Sequence, residues 1–196
     1  MPTPDPTPSV LRDYLLTLLC QLAYQEGDFT LSSGQKSTYY INCKPVTLHP
    51  FGALATGRLL LPLLASGTQG VAGLTLGADP IVSSVSVVSA LAEKPVFGLI
   101  IRKEAKGHGT QAYIEGPVIA SSKVAVLEDV VTTGQSALTA VQRLQDAGYQ
   151  VDQVISLVDR QQGGAELYAQ AGLEFISLFN ITDLQAKYKS ISAIWI

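Results

Sequence analysis

The chain has little cysteine and little histidine, with only Cys20, Cys43, His49 and His108 among 196 residues. Neither cysteine stands in the closely spaced ligand pair of a structural zinc site, and two isolated thiols favour buried free cysteines over a disulfide. His49 directly precedes Pro50, where a helix cap or a surface position explains it better than a ligand role. We therefore expect no metal site made from protein side chains.

Charge and long apolar runs are also scarce. Charged residues make up 15% of the chain and the net charge is −3, so there is no global positive field to attract nucleic acid. The longest apolar-rich stretch, Pro80 to Ala92, contains serines and is too short to cross a bilayer. Residues 1–9 lack the basic and apolar parts of a signal peptide. We expect a cytoplasmic protein with neither a nucleic-acid nor a membrane partner.

Apolar residues are abundant, at 47%, and their pattern predicts one folded domain over residues 9–196 behind a flexible tail at 1–8. Buried strands are predicted at residues 71–75, 96–101, 124–128, 154–158 and 175–179, with helical patterns at 50–65, from Asp79 and Pro80, at 136–147 and at 165–171. Alternating strands and helices indicate the α/β class, a mostly parallel twisted sheet flanked by helices. Ligands should bind at the carboxyl ends of its strands.

The two ends of the chain carry their own boundary signals. Ser9 is expected to cap a helix over 10–26 that Gly27 ends, followed by short strands at 29–31 and 38–42. Pro62 should shorten the helix over 50–65, and a long polar loop should run from 102 to about 116. Thr182 and Gln185 predict a capping box for the last helix.

The strand at 124–128 leads into a segment suited to a sugar phosphate. Its residues are Glu128, Asp129, Val130, Val131, Thr132, Thr133, Gly134, Gln135 and Ser136. A short Thr/Ser/Gly loop before a helix presents backbone N–H groups and hydroxyls to a phosphate. The two carboxylates just before the loop can accept hydrogen bonds from vicinal ribose hydroxyls, so ribose 5-phosphate fits the pattern. An ordinary strand–loop–helix turn is the alternative.

A second segment, residues 102–110 (RKEAKGHGT), concentrates positive charge. Arg102, Lys103, Lys106 and His108 lie beside glycines, which suits a loop that closes over a pyrophosphate. Charge alone favours an ordinary surface loop.

Four motifs together carry a resemblance to a known family. The run VAVLEDVVTTGQSA (124–137) resembles the phosphoribosyl pyrophosphate motif of type I phosphoribosyltransferases. The stretch RKEAKGHG with IEG (114–116), together with FTLSSGQKSTYY (29–40) and VDRQQGG (158–164), resembles orotate phosphoribosyltransferases, in the same order along residues 10 to 190. The resemblance implies the type I fold, with a small N-terminal hood and a mobile basic loop.

The resemblance also implies an activity. The enzyme would transfer the 5-phosphoribosyl group from phosphoribosyl pyrophosphate to orotate, giving orotidine 5′-phosphate and pyrophosphate, in de novo UMP biosynthesis. It implies Mg²⁺ held mainly through phosphoribosyl pyrophosphate. It further implies a homodimer with shared active sites, because the basic loop in that family belongs partly to the neighbouring subunit.

Site residues follow from the matching motifs. Lys106, His108 and Asp129 are expected to be catalytic, and Thr132 and Arg160 are expected to face orotate. Phosphoribosyl pyrophosphate is expected to contact Arg102, Lys103, Lys106, His108, Glu128, Asp129, Val130, Val131, Thr132, Thr133, Gly134, Gln135 and Ser136. The chain departs from some family members at Ser32 and at Leu76–Gly77, where a lysine and a Tyr-Lys pair occur, so no contact is expected there by analogy.

Three other interpretations remain open from the residues. The same fold could act on another base, such as a purine; the chain could be a non-catalytic sensor that regulates transcription; or it could be a general sugar-phosphate binder. Tyr39 and Tyr40 could stack on a base or only pack within the hairpin, and Asp159 could orient Arg160.

Overall fold

The computed structural model describes residues 6–30, 34, 36–104, 113–117 and 120–193. Its helices are α1 (Pro8–Leu22), α2 (Lys44–Thr47), α3 (Pro50–Leu60), α4 (Asp79–Leu91), α5 (Gln135–Asp146), α6 (Gly164–Gln170) and α7 (Ile181–Ser192). Its strands are β1 (Tyr24–Thr30), β2 (Lys36–Ile41), β3 (Gly70–Leu74), β4 (Phe97–Ile101), β5 (Ile114–Glu115), β6 (Val124–Val131), β7 (Gln153–Asp159) and β8 (Glu174–Asn180). None of the helices in these ranges is long and apolar enough to cross a membrane.

Six strands form the main sheet in the order β5-β4-β3-β6-β7-β8. All neighbouring strands are parallel except β5, an outermost strand of the sheet, which pairs antiparallel with β4. The strands β1 and β2 form a separate antiparallel sheet near the N-terminus. The predicted α/β class with a mostly parallel sheet is therefore confirmed, and the small separate sheet corresponds to the expected hood.

Both faces of the main sheet are covered. In β6, Ala125 and Leu127 join a core cluster with residues of α1, α3 and α4, whereas Val124 and Val126 join a second cluster with α5 and α6. Because side chains alternate between the faces of a strand, a continuous apolar run is what a sheet covered on both sides requires. This packing holds the carboxyl ends of β3, β4, β6 and β7 along one edge.

The first helix differs from its predicted bounds at both ends. Thr7, not Ser9, is the N-cap, and Pro8 occupies the first turn, where its missing N–H has no consequence. The helix ends at Leu22 rather than at Gly27, because Tyr24 begins β1 and pairs with Ile41 of β2. Pairing with a strand distant in sequence has overridden the local helical pattern.

Two other caps also differ from the prediction. The capping box of α7 is made by Asn180 and Asp183, not by Thr182 and Gln185, so the helix begins at Ile181. Ala78 is the N-cap of α4, and Asp79 is the first helical residue, where its charge favours the positive end of the helix dipole. In contrast, α3 ends at Leu60 and continues as a 3-10 turn over Leu61–Leu63, as Pro62 predicted.

The strand that precedes the phosphate loop is longer than predicted. It runs to Val131 because Val130 and Val131 pair with Val158 and Asp159 of β7. The short strand β5 and the one-turn helix α2 were not predicted, since the segments 102–116 and 43–49 carry no clear periodicity. The expectation for the thiols is confirmed: both cysteines are buried and free.

Candidate active site

Four strand ends bring the candidate residues together. Residues 75–78 follow β3, residues 102–104 follow β4, residues 132–134 follow β6 and residues 160–163 follow β7. Because these strands are parallel neighbours, all four segments lie at the same edge of the sheet. This is the edge at which ligands bind in open α/β sheets.

The segment after β6 forms a small cavity at the start of α5. Gly134 has φ +86°, a left-handed conformation that favours glycine, and it is the N-cap of a 12-residue helix. A cavity of about 70 Å³ lies there, lined by Glu128, Val130, Val131, Thr132, Thr133, Gly134, Gln135, Ser136, Ala137 and Tyr168. Backbone amides and hydroxyls at the positive end of a helix dipole can hold a phosphate. The predicted loop is thus assembled as one site.

A larger crevice of about 570 Å³ lies beside that cavity. It is lined by Lys44, Leu74, Thr75, Leu76, Gly77, Lys103, Glu128, Asp129, Val130 and Ser136. Two ammonium groups and two carboxylates thus face the same space. The presence of both signs of charge suits a ligand that carries both hydroxyls and phosphates.

The two carboxylates differ in their environment. Glu128 is only 8% exposed, and burial first, then the neighbouring Asp129 carboxylate, raises its pKa well above 4.5. The Asp129 carboxylate accepts a hydrogen bond of 2.9 Å from the Val130 amide and stays partly exposed. Asp129 is therefore the more accessible acceptor for a ligand hydroxyl.

Gly77 lies against Asp129. A Cβ atom at position 77 would come within 2.6 Å of the Asp129 carboxylate, so a side chain there requires that carboxylate to move. The glycine at this departure from the family pattern therefore fits the close approach of the β3 loop to the acid pair.

Arg160 is buried at the end of β7 against the small sheet. It is 6% exposed, its guanidinium lies 4.6 Å from the ring centre of Tyr39, and it donates hydrogen bonds to Ser37 Oγ (3.0 Å) and Tyr39 Oη (3.3 Å). The Asp159 carboxylate instead accepts from the Gln161 amide at 2.8 Å. Among the described residues, Tyr39 and Ser37 rather than Asp159 thus orient the Arg160 guanidinium.

The two tyrosines of β2 have different surroundings. Tyr39 packs against the core and lies beside Arg160, whereas Tyr40 is 42% exposed and packs against Phe29 with ring centres 5.6 Å apart. Packing within the hairpin accounts for the position of Tyr40, whereas Tyr39 also contacts Arg160.

The structure describes only the first three residues of the basic segment, 102–104. Lys103 lines the crevice beside the acid pair, while Arg102 forms an ion pair of 3.5 Å with Glu115. Lys106 and His108 lie outside the described residues. Among the predicted cations, the structure therefore brings Lys103 to the acid pair and places Arg102 against β5.

Three residues at this edge had not been expected there. Lys44 lines the crevice, Ser37 contacts Arg160, and Tyr168 lines the phosphate cavity. Ser37 lies within the FTLSSGQKSTYY motif, which could have suggested it. Lys44 and Tyr168 reach the site from helices that carry no local signal for a ligand.

Protein ligands for a metal are few. No group of three or more His, Cys, Asp or Glu side chains that could hold an ion occurs within residues 6–104, 113–117 and 120–193, apart from the omitted positions 31–33 and 35. Among the described residues that line the crevice, Glu128 and Asp129 are the two that carry carboxylates. This set fits an ion that takes most of its ligands from a bound substrate and water.

The chain is similar in sequence to known enzymes along most of its length. No protein-family model matches the chain. It is 70% identical to the orotate phosphoribosyltransferase of Nostoc sp. over 184 residues, which cover 93% of this chain and 89% of that protein. It is 68% identical to the orotate phosphoribosyltransferase of Synechocystis sp. over 180 residues, 91% of each chain.

A solved structure gives the same result. Mycobacterium tuberculosis H37Rv orotate phosphoribosyltransferase, in complex with 5-phospho-α-D-ribosyl 1-diphosphate, matches with a TM-score of 0.75 and 35% identity over 89% of this chain and 99% of that one. Together with the mostly parallel sheet and the loop at the ends of its strands, this match identifies the chain as a phosphoribosyltransferase. Within that class, the chain belongs to the orotate phosphoribosyltransferase family.

Proposed function

We propose that the edge formed by the ends of β3, β4, β6 and β7 is the active site of this enzyme. The chain transfers the 5-phosphoribosyl group from phosphoribosyl pyrophosphate to orotate, giving orotidine 5′-phosphate and pyrophosphate, in de novo pyrimidine biosynthesis. The observation that carries the proposal is the position of the phosphate cavity next to the crevice that holds Glu128, Asp129 and Lys103.

Phosphoribosyl pyrophosphate would lie across the phosphate cavity and the crevice beside it. Residues 132–136 hold its 5-phosphate through backbone amides and hydroxyls, with Val130 and Val131 shaping the cavity wall. The carboxylates of Glu128 and Asp129 accept hydrogen bonds from the ribose hydroxyls. Lys103, which lines the same crevice, then faces the pyrophosphate.

Orotate would lie between the phosphate loop and Arg160. A guanidinium has five donors in a planar fork, and Ser37 and Tyr39 accept from two of its nitrogens. The remaining donors can pair with the orotate carboxylate, and Thr132 at the end of β6 contacts the ring. This arrangement favours orotate over a purine, because a purine lacks the carboxylate.

The orotate ring nitrogen forms a new bond to the ribose anomeric carbon, and the bond from that carbon to the pyrophosphate oxygen breaks. As it breaks, the ribose gains oxocarbenium character and the leaving group gains negative charge. Cations that meet the leaving group therefore stabilise the transition state more than the ground state. We assign this role to Lys103, Lys106 and Arg102, with His108 donating a hydrogen bond or a proton to pyrophosphate and Asp129 holding the ribose.

Magnesium would supply additional positive charge to the pyrophosphate oxygens. The acid pair fits such an ion because Asp129 is partly exposed at the crevice and can bind it directly or through water. Holding the ion mainly through the substrate agrees with the small number of protein ligands nearby.

We also propose that the enzyme is a cytoplasmic homodimer with shared active sites. The support is the resemblance of the basic segment to that of the family, in which part of the segment serves the neighbouring subunit. The exposed position of Arg102 and Lys103 at the sheet edge is compatible with such sharing.

A panel of bases tests the choice of orotate. The protein is incubated with phosphoribosyl pyrophosphate, magnesium and either orotate, uracil, adenine or hypoxanthine, and pyrophosphate release is measured. Release with orotate alone is expected, since uracil lacks the carboxylate that Arg160 would bind. Release with adenine or hypoxanthine but not with orotate would overturn the assignment, and binding without release for any base would favour a sensor.

A further inference from the structure

Tyr168 carries a buried hydroxyl group that has no hydrogen-bond partner among the residues that the structure describes. The side chain is fully buried on α6, and its Oη atom is one of a small set of unpartnered buried polar atoms in the described part of the chain. A buried donor without a partner lowers stability, so each such group needs an explanation. Phenylalanine would fill the same space without that loss.

The hydroxyl lies directly behind the phosphate loop. A Cβ atom added to Gly134 would come within 3.1 Å of Tyr168 Oη and 3.0 Å of Cζ. Tyr168 also lines the cavity of about 70 Å³ that residues 132–136 enclose. Its ring also packs against Phe175, with ring centres 5.0 Å apart, so the Oη atom is held at this position beside the loop.

We propose that Tyr168 is a further phosphate-binding residue, whose hydroxyl donates a hydrogen bond to the phosphate group bound in the β6–α5 loop. The proposal rests on the proposed function, because that function supplies the 5-phosphate as the ligand. The backbone amides of the loop and the hydroxyls of Thr132, Thr133 and Ser136 would bind from the open side, and Tyr168 would bind from the side of the core.

The chemistry of the site supports a donor at this position. Burial first, then the carboxylates of Glu128 and Asp159, raises the pKa of the Tyr168 hydroxyl, so it keeps its proton at neutral pH. A phosphate has only acceptor oxygens at its surface, and a neutral phenol can donate to it without adding charge. The hydroxyl thus gains its missing partner when ligand binds.

The test compares Tyr168→Phe with wild type, using ribose 5-phosphate as the probe because its binding does not depend on the base. We expect the ligand-free variant to have a melting temperature equal to or above that of wild type. Its dissociation constant for ribose 5-phosphate should rise about 10-fold, a size typical of one lost hydrogen bond to a charged group. The KM for phosphoribosyl pyrophosphate should rise in parallel, with the KM for orotate unchanged.

Tyr14→Phe is the matched control, since it removes a hydroxyl from a half-buried tyrosine on α1, outside the proposed site. It should bind ribose 5-phosphate as wild type does. Unchanged ribose 5-phosphate binding by Tyr168→Phe, or a lowered melting temperature with unchanged binding, would overturn the role of Tyr168 and leave the proposed function intact. Failure of wild type itself to bind ribose 5-phosphate would overturn both.

Discussion

At the scale of single residues, Arg160 has the most defined surroundings of the proposed substrate-binding side chains. Its guanidinium lies over the Tyr39 ring and donates to Ser37 Oγ, and these two contacts fix the orientation of its planar fork. Lysine keeps the charge but has neither the fork nor the flat face that stacks on a ring.

Arg160→Lys should therefore lower kcat/KM for orotate on the order of 10- to 100-fold, with little change in the KM for phosphoribosyl pyrophosphate. Arg12→Lys is a matched control, because Arg12 also lies 4.6 Å from a ring centre, that of Phe179, and donates to the Leu178 carbonyl oxygen. Equal loss in both variants would contradict a role for Arg160 in binding orotate.

The buried carboxyl of Glu128 leads to a prediction about pH. Burial and then Asp129 raise its pKa in the folded protein, so ionisation of Glu128 destabilises the ligand-free fold. That destabilisation is absent below the ordinary pKa of 4.5 and complete above the raised value.

Glu128→Gln should thus be more stable than wild type at neutral pH, and the difference in free energy of unfolding should shrink as the pH falls toward 4.5. Denaturant titrations of both proteins across this range measure it. A difference that stays constant with pH would show that Glu128 does not titrate in this way. The variant should also bind phosphoribosyl pyrophosphate more weakly, since an amide is a poorer acceptor for ribose hydroxyls.

Lys106 tests the proposed stabilisation of the leaving group. Lys106→Ala should lower kcat by on the order of 100-fold or more, as expected for the loss of one group that binds developing charge. Steady-state kinetics with both substrates measure the effect. A raised KM with unchanged kcat would contradict a role in the transition state.

At the scale of elements, Arg143 connects α5 with the segment that follows β4. Its guanidinium donates to the Arg102 and Lys103 carbonyl oxygens and lies 4.2 Å from the ring centre of Tyr113. The backbone amide of Arg102 also donates to the Tyr113 carbonyl oxygen at 2.8 Å. The helix that begins at the phosphate loop thus also contacts the start of the basic segment and Tyr113, which follows that segment in sequence.

Arg143→Ala should lower the free energy of unfolding by about 1–2 kcal/mol and speed cleavage by trypsin after Arg102 or Lys103. Thermal melts and limited proteolysis measure these effects. Arg12→Ala removes comparable contacts elsewhere, so it should lower stability without faster cleavage at 102 and 103. The same cleavage rate in both variants would contradict the local role of Arg143.

Local sequence patterns predicted most elements of this fold. They failed where contacts between residues distant in sequence determine the bounds of a helix or strand. The apolar run at 124–128 and the following Thr/Ser/Gly loop are signals that neighbours in sequence carry, and β6 and α5 confirm them. Tyr24 fits a helical pattern but pairs with Ile41, and Val130 and Val131 extend β6 by pairing with β7. The contribution of a partner strand is not visible in a short window of sequence.

Local sequence signals likewise predicted only part of the candidate site. The acid pair and Lys103 were predictable because each belongs to a motif at the end of a strand. Lys44 and Tyr168 were not, because they reach the crevice and the cavity from α2 and α6 through tertiary packing alone.

At the scale of the whole molecule, sharing of sites between subunits can be tested by mixing variants. Lys106→Ala and Asp129→Asn should each be nearly inactive alone. If each site uses Lys106 from one subunit and Asp129 from the other, a mixed dimer has one intact site, and a statistical mixture should recover about a quarter of wild-type activity. No recovery, with subunit exchange shown by native mass spectrometry, would contradict shared sites.

The central claim is that the sheet edge catalyses magnesium-dependent phosphoribosyl transfer to orotate. The most direct measurement follows the ultraviolet absorbance of orotate with phosphoribosyl pyrophosphate, with and without magnesium, while pyrophosphate is measured in parallel. We predict loss of orotate with equal release of pyrophosphate, only when magnesium is present. Unchanged orotate absorbance, despite tight binding of phosphoribosyl pyrophosphate, would contradict the account.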